Sequence, residues 1–220
     1  MSGAEGGGVG EKMRARASYD EPFAWWGPVW TPPAARSAAD LVSEGTLAPA
    51  TAGLLAALLG RRASLVVAAE ASGAGKTTLL TALLAFYPPN TRRLYLRGCY
   101  EPFAFLDDPT LDPTASLLLV NEISAHLPAY LWGPAVGRTL EATRRGFALA
   151  ATAHAADPTD LVRLLAGYPL RVPLHDVAAV KLVVLLDAWS AGDKTHREVA
   201  SVTALLPPVG AGGLTLVPLA

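Results

Sequence analysis

Two kinds of apolar pattern alternate through the middle of the chain. "SLVVAA" (64–69), "RLYLRG" (93–98), "SLLLVNE" (116–122) and "FALAATAHA" (147–155) are short runs with apolar residues at neighbouring positions. The first, unbroken run predicts a strand buried on both faces of a sheet, and the others predict further strands. Helical spacing appears between and around them. In "SAADLVSEGTLAPATAGLLAALLGRR" (37–62), Ser37 caps a first helix and Gly45 closes it, while Leu54, Leu55, Leu58 and Leu59 share one face of a second. A third helix starts at Lys76 and must stop at Pro88-Pro89. A fourth lies around 134–145, and a fifth over 157–167 is capped by Asp157 or Thr159 and ended by Gly167. "AVKLVVLLDAW" (179–189) and "THREVASVTAL" (195–205) predict a late strand pair that turns at Ala191-Gly192-Asp193. Strands alternating with helices imply an α/β fold, with a mainly parallel sheet covered by helices on both faces and the antiparallel pair at its end.

The ends read differently. Residues 1–18 are glycine-rich with almost no large apolar side chains, which predicts a disordered tail. "YDEPFAWWGPVWTPP" (19–33) carries three tryptophans among prolines that disfavour helix. An arm over 19–35 that packs its aromatics on this domain or on a neighbouring subunit is the expectation. The main domain spans 36–205, and 206–220 reads as a C-terminal tail.

Composition narrows the class. With 220 residues, 51% of them apolar and 17% charged, the chain suits one large domain. No uncharged apolar run approaches the roughly 20 residues of a membrane-spanning helix, and "MSGAEGGGVGEKMRAR" has no apolar core of a secretory signal. A cytoplasmic location is expected. The formal net charge is −1 and the basic residues come as scattered doublets, so no nucleic-acid partner is expected. Cys99 is the single cysteine, which excludes an internal disulfide or a cysteine-based zinc site and predicts a buried thiol.

Candidate chemistry begins at 70–77, "EASGAGKT", between a predicted strand and a predicted helix. A full phosphate loop is Gly, four residues, Gly, Lys, then Ser or Thr. Gly73 and Gly75 allow the tight path that points amides at phosphate oxygens, and the helix from Lys76 adds its N-terminal dipole. Ser72, Gly73, Ala74, Gly75, Lys76, Thr77 and Thr78 are therefore the candidate nucleotide-binding residues. Lys76 would reach the β and γ phosphates of ATP, and the Thr77 hydroxyl would ligate Mg2+. Glu70 departs from the pattern, because it stands where glycine turns the chain without steric cost. Glu122 ends a buried strand, at the edge where open α/β sheets place their ligands, and could orient an attacking water. His154 ends another strand. His126, His175 and His196 are read as structural.

These pieces, in this order, resemble the type II/IV secretion and pilus-assembly ATPases, nearest the Flp/Tad and VirB-type branch. "DLVSEGTLAPATAGLL" is similar to the helices that lead into that family's nucleotide domain, and "VVAAEASGAGKTTLLTALL" to its phosphate loop. "LLLVNE" is similar to its second motif, "TAHA" (152–155) to its histidine box, and "YPLRVP" precedes a late strand pair as in the family. The likeness covers about 36–203. It implies a RecA-like P-loop NTPase core working as a homo-oligomer, a hexameric ring in the family, or with a related ATPase, peripheral to an inner-membrane machine. It also implies that Glu122 activates water, that His154 senses the γ-phosphate, and that Glu101 in "YLRGCYE" remains from an acidic box. The family carries arginines in a longer loop before its second motif, whereas "PFAFLDDPTLDPTAS" (102–116) holds none. No counterpart to the family's separate N-terminal domain is expected beyond the aromatic arm.

Two functions follow. One is an ATPase that powers or regulates a pilus or secretion machine; the other is a nucleotide-binding assembly subunit with little or no turnover. A small-molecule kinase is weaker, because that chemistry clamps the transferred phosphate with arginines absent from 102–116.

Overall fold

A computed structural model describes residues 18–22, 25, 35–210 and 212–220. The expected tail over 1–17 and most of the aromatic arm, Trp26 and Trp30 included, lie outside the described residues. Seven strands form one sheet: β1 (Leu65–Ala69), β2 (Arg92–Tyr95), β3 (Ser116–Ile123), β4 (Ala148–His154), β5 (Leu182–Ala191), β6 (Lys194–Leu206) and β7 (Thr215–Pro218). Their spatial order is β2-β3-β4-β1-β5-β6-β7. The first five strands in that order are parallel, and β6 and β7 add antiparallel at the edge. This is the expected α/β fold, a mainly parallel sheet with helices on both faces and a late antiparallel pair at one edge. Within the expected tail over 206–220, Thr215–Pro218 pair with Thr203–Leu206 and extend the sheet.

Alternation of side chains explains the two apolar layers. Along β1, Val66 and Ala68 point to one core while Leu65, Val67 and Ala69 point to the other. The second core is closed by α1 (Ala38–Ser43), α2 (Pro49–Leu59) and α3 (Lys76–Leu83) through Leu41, Leu55, Leu59, Leu79 and Leu83. The first is closed by α4 (Pro134–Ala142), α5 (Pro158–Ala166) and α6 (Leu174–Val177) through Val136, Leu140, Leu161, Leu165 and Val177. Each fully buried leucine contributes about 1.5–3 kcal/mol of transfer free energy. Local signals set the helix limits. Ser37 and Asp40 form a reciprocal capping box on α1, and Asp157 rather than Thr159 caps α5 by accepting from the Asp160 amide.

The aromatic arm packs on its own domain where it is described. Trp25 is buried edge-on to Tyr95 and donates from Nε1 to Thr81 Oγ1 at 3.1 Å. Tyr19 is buried against Phe105 and donates its hydroxyl to Asp108 at 2.5 Å; desolvation, with this bond second, pushes its phenol up to about 12. One expectation is corrected: Cys99 is exposed, because it sits in a 3-10 turn after β2 rather than in a strand. No helix among the described residues is long and apolar enough to cross a membrane.

Candidate functional site

Strand order brings three predicted residues together. β3, β4 and β1 are consecutive neighbours in the sheet and run parallel, so their C-terminal ends share one edge. Glu122 lies near the end of β3, His154 ends β4, and the loop after β1 leads to Lys76. Ala69 and His154 are in register. Between Val120 and Ile123 the β3–β4 register shifts, and this bulge carries Glu122. Bulges re-aim side chains at such edges. Thr152, on β4, donates its hydroxyl to the Asn121 carbonyl at 2.5 Å and pins the irregular segment.

The loop itself has the expected shape. Gly73 and Gly75 take positive φ, +73° and +104°, conformations that cost other residues about 1–2 kcal/mol. A Cβ on Gly73 would meet open space, whereas one on Gly75 would come within 3.3 Å of the Arg197 side chain. Glu70 is exposed and does not take a positive φ, so glycine is not required there. The expected steric reason for glycine at that position does not apply in this chain. Gly75 caps the N-terminus of α3, where the first amides have no partner within the helix.

Charge is concentrated behind the loop. Lys76 is buried, its Nζ 3.9 Å from Glu122 Oε2 and 3.3 Å from His154 Nε2. Burial lowers the lysine pKa and the Glu122 carboxylate opposes that shift only in part. Glu122 Oε1 lies 3.2 Å from His154 Nε2 but outside hydrogen-bond geometry, which leaves this buried oxygen without a hydrogen-bond partner. His154 Nδ1 is 3.3 Å from the Glu70 carbonyl. A carbonyl can only accept, so this contact favours a proton on Nδ1, while the Lys76 ammonium, which can only donate, lies 3.4 Å from the same nitrogen. Burial first, and then the Glu122 carboxylate, raise the Tyr130 phenol.

Glu101 and the arginines of the 144–145 doublet fall elsewhere. Glu101 holds its own loop, with Oε2 accepting the Arg97 amide and Oε1 the Phe103 amide, each at 2.8 Å. Arg144 lies among Glu141, His175 and Asp176, and Arg145 donates to the Leu106 carbonyl. Two further residues come close to these groups, one read from the sequence as structural and one not singled out there. His126, read there as structural, comes within 5.8 Å of the His154 ring, centroid to centroid. Arg197, on β6, donates from Nε to the Ala74 carbonyl at 2.9 Å and braces the loop from the far side. No local motif marks either one; both arrive through strand neighbours distant in sequence. Beside the loop opens a pocket of about 640 Å³ lined by Gly73, Gly75, Thr78, Trp189, His196 and Arg197 among others. Trp189 and His196 stack at 5.6 Å across the β5–β6 pair.

No protein-family profile matches the chain, and no curated protein matches it. Among solved structures it is similar to the VirB11 ATPase of the Brucella suis type IV secretion system, solved in complex with sulphate. Identity is 19% and the TM-score 0.51, with 79% of this chain and 64% of that chain covered. The Legionella pneumophila ATPase DotB is 14% identical with a TM-score of 0.46, over 69% of this chain and 48% of that one. The likeness to VirB11 is one of fold, and this chain spans about 64% of that protein's length.

Proposed function

We propose that this chain binds ATP with Mg2+ and hydrolyses it slowly, as an oligomeric subunit related to the motors of type II/IV secretion or pilus assembly. One observation carries the reading: Lys76, Glu122 and His154 meet behind a loop whose two glycines hold the left-handed conformations that phosphate binding uses. In this reading the amides from Ser72 to Thr78 surround the phosphate oxygens, and Lys76 exchanges Glu122 for the β and γ phosphates. Thr77, half-buried as the second residue of α3, would hold the magnesium. The ion, when bound, offsets charge on the phosphate oxygens. Glu122, relieved of Lys76, would orient a water for attack on the γ-phosphorus, with His154 contacting the γ-phosphate. Glu101 keeps the 97–103 loop in place beside that edge.

A second reading, a nucleotide-binding subunit without useful turnover, is favoured by the placing of the arginines. Positive charge supplied to the transferred phosphoryl group is worth roughly 10³–10⁵ in rate. The 102–116 loop has none, Arg144 and Arg145 are tied to partners elsewhere, and Arg197, beside the loop, donates to the Ala74 carbonyl. An ATP titration with and without magnesium, followed by a hydrolysis assay on the same sample, separates the two. Magnesium-dependent binding is expected under both. Measurable phosphate release supports the ATPase, and no binding at all would overturn both.

A further inference from the structure

We propose that Glu122, His126 and His154 form a binding site for a first-row transition-metal dication, with Zn2+ the ion their chemistry suits best. One ligand atom from each residue lies within 4.8 Å of the other two. A tetrahedral site with bonds of 2.0–2.2 Å sets its ligand atoms about 3.4 Å apart. His126 is exposed on the segment after β3, so a change of its side-chain rotamer closes the difference. Two imidazoles and one carboxylate suit zinc, and magnesium prefers oxygen ligands alone.

Two further features point to a cation here. Glu122 is only 9% exposed, and its Oε1 has no hydrogen-bond partner although His154 Nε2 is 3.2 Å away. In the tautomer with the proton on Nδ1, toward the Glu70 carbonyl, Nε2 presents a lone pair to that oxygen and to the Lys76 ammonium 3.3 Å away. Two acceptors then face one another beside the Lys76 ammonium, in the place a metal ion would take in exchange for that lysine. A backbone carbonyl on the distal nitrogen is also the arrangement that orients a metal-bound histidine.

Lys76 competes for the same place, because its ammonium is 3.3 Å from His154 Nε2 and 3.9 Å from Glu122 Oε2. Metal entry therefore requires the lysine to swing out of the site. The proposal stands apart from the nucleotide reading, since it concerns these side chains with no nucleotide present.

The test is a titration of the nucleotide-free full chain with Zn2+, and with Co2+ for its visible absorption. One equivalent of metal should bind, with the intense Co2+ bands of a four-coordinate site. His126→Ala should weaken binding by about tenfold or more, the scale seen when metal sites lose a supporting contact. Lys76→Met should tighten it, because a neighbouring positive charge is gone. His175→Gln combined with His196→Gln should leave it unchanged. Absence of stoichiometric binding in the wild type, or an affinity indifferent to His126→Ala, would overturn the proposal.

Discussion

Lys76 is the residue on which the most physical terms converge. It is buried, shares Glu122 and His154, and has a pKa lowered chiefly by desolvation. Its unfolded form therefore binds more protons than its folded form in the alkaline range below 10.5, and its contribution to stability rises with pH there. Lys76→Met should flatten the rise: the melting temperature of the wild type should gain on that of the variant as pH increases toward 10.5. A constant difference across that range would reject this account. In the proposed nucleotide site the same lysine makes charge-assisted bonds to phosphate. Lys76→Ala should then cost about 3 kcal/mol of ATP affinity, roughly a hundredfold, by calorimetric titration. The two glycines differ in kind. Gly75→Ala meets both a positive φ and the Arg197 side chain, whereas Gly73→Ala meets only the φ. ATP binding should fall much further for Gly75→Ala, and equal losses would show that contact with Arg197 is not what constrains the loop.

Elements explain how these residues are held. The β3 bulge tilts Glu122, the α3 N-terminus offers its amides, and β6 sends Arg197 across to the loop. Arg197 comes from a strand that is antiparallel to β5, so the late strand pair is part of the site's support. The aromatic arm is support of another sort. Trp25 and Tyr19 are buried, and Asp20 pairs with Arg92 at 2.6 Å, so three of the arm's residues bind the body of the domain on two sides of β2 and α3. Removing a buried tryptophan typically costs about 3–5 kcal/mol. Trp25→Ala should lower unfolding stability in urea by that order, with an unchanged slope. A loss under about 1 kcal/mol would mean that the indole contributes little beyond its surface.

At the scale of the whole molecule the structure bears on rate. The isolated chain should hydrolyse ATP at well below one turnover per second, about the lower limit of ordinary enzymes. Glu122→Gln should abolish that residue of activity without weakening ATP binding. Brisk turnover whose specific rate grows with protein concentration would instead indicate an arginine from a neighbouring copy, and the proposal of slow turnover would fall. Much of the architecture was legible in advance. Buried strands show as neighbouring apolar positions, Ser37 and Asp157 announce helix starts, and "SGAGKTT" announces a loop whose backbone must turn left-handed at its glycines. These are local constraints, written within a few residues of where they act. The sequence alone also determined that Glu122 lies near the end of one strand and His154 ends another. Which strands are neighbours is decided only by how the sheet assembles, and local pattern carries no such order. The sequence β3-β4-β1 is what sets Glu122, His154 and Lys76 within 4 Å of one another, though 32 to 78 residues separate them. His126 beside His154, Arg197 against Ala74, Cys99 at the surface and a seventh strand near the C-terminus have the same origin. Each depends on a contact made by a distant segment, and the chain must fold before that contact exists.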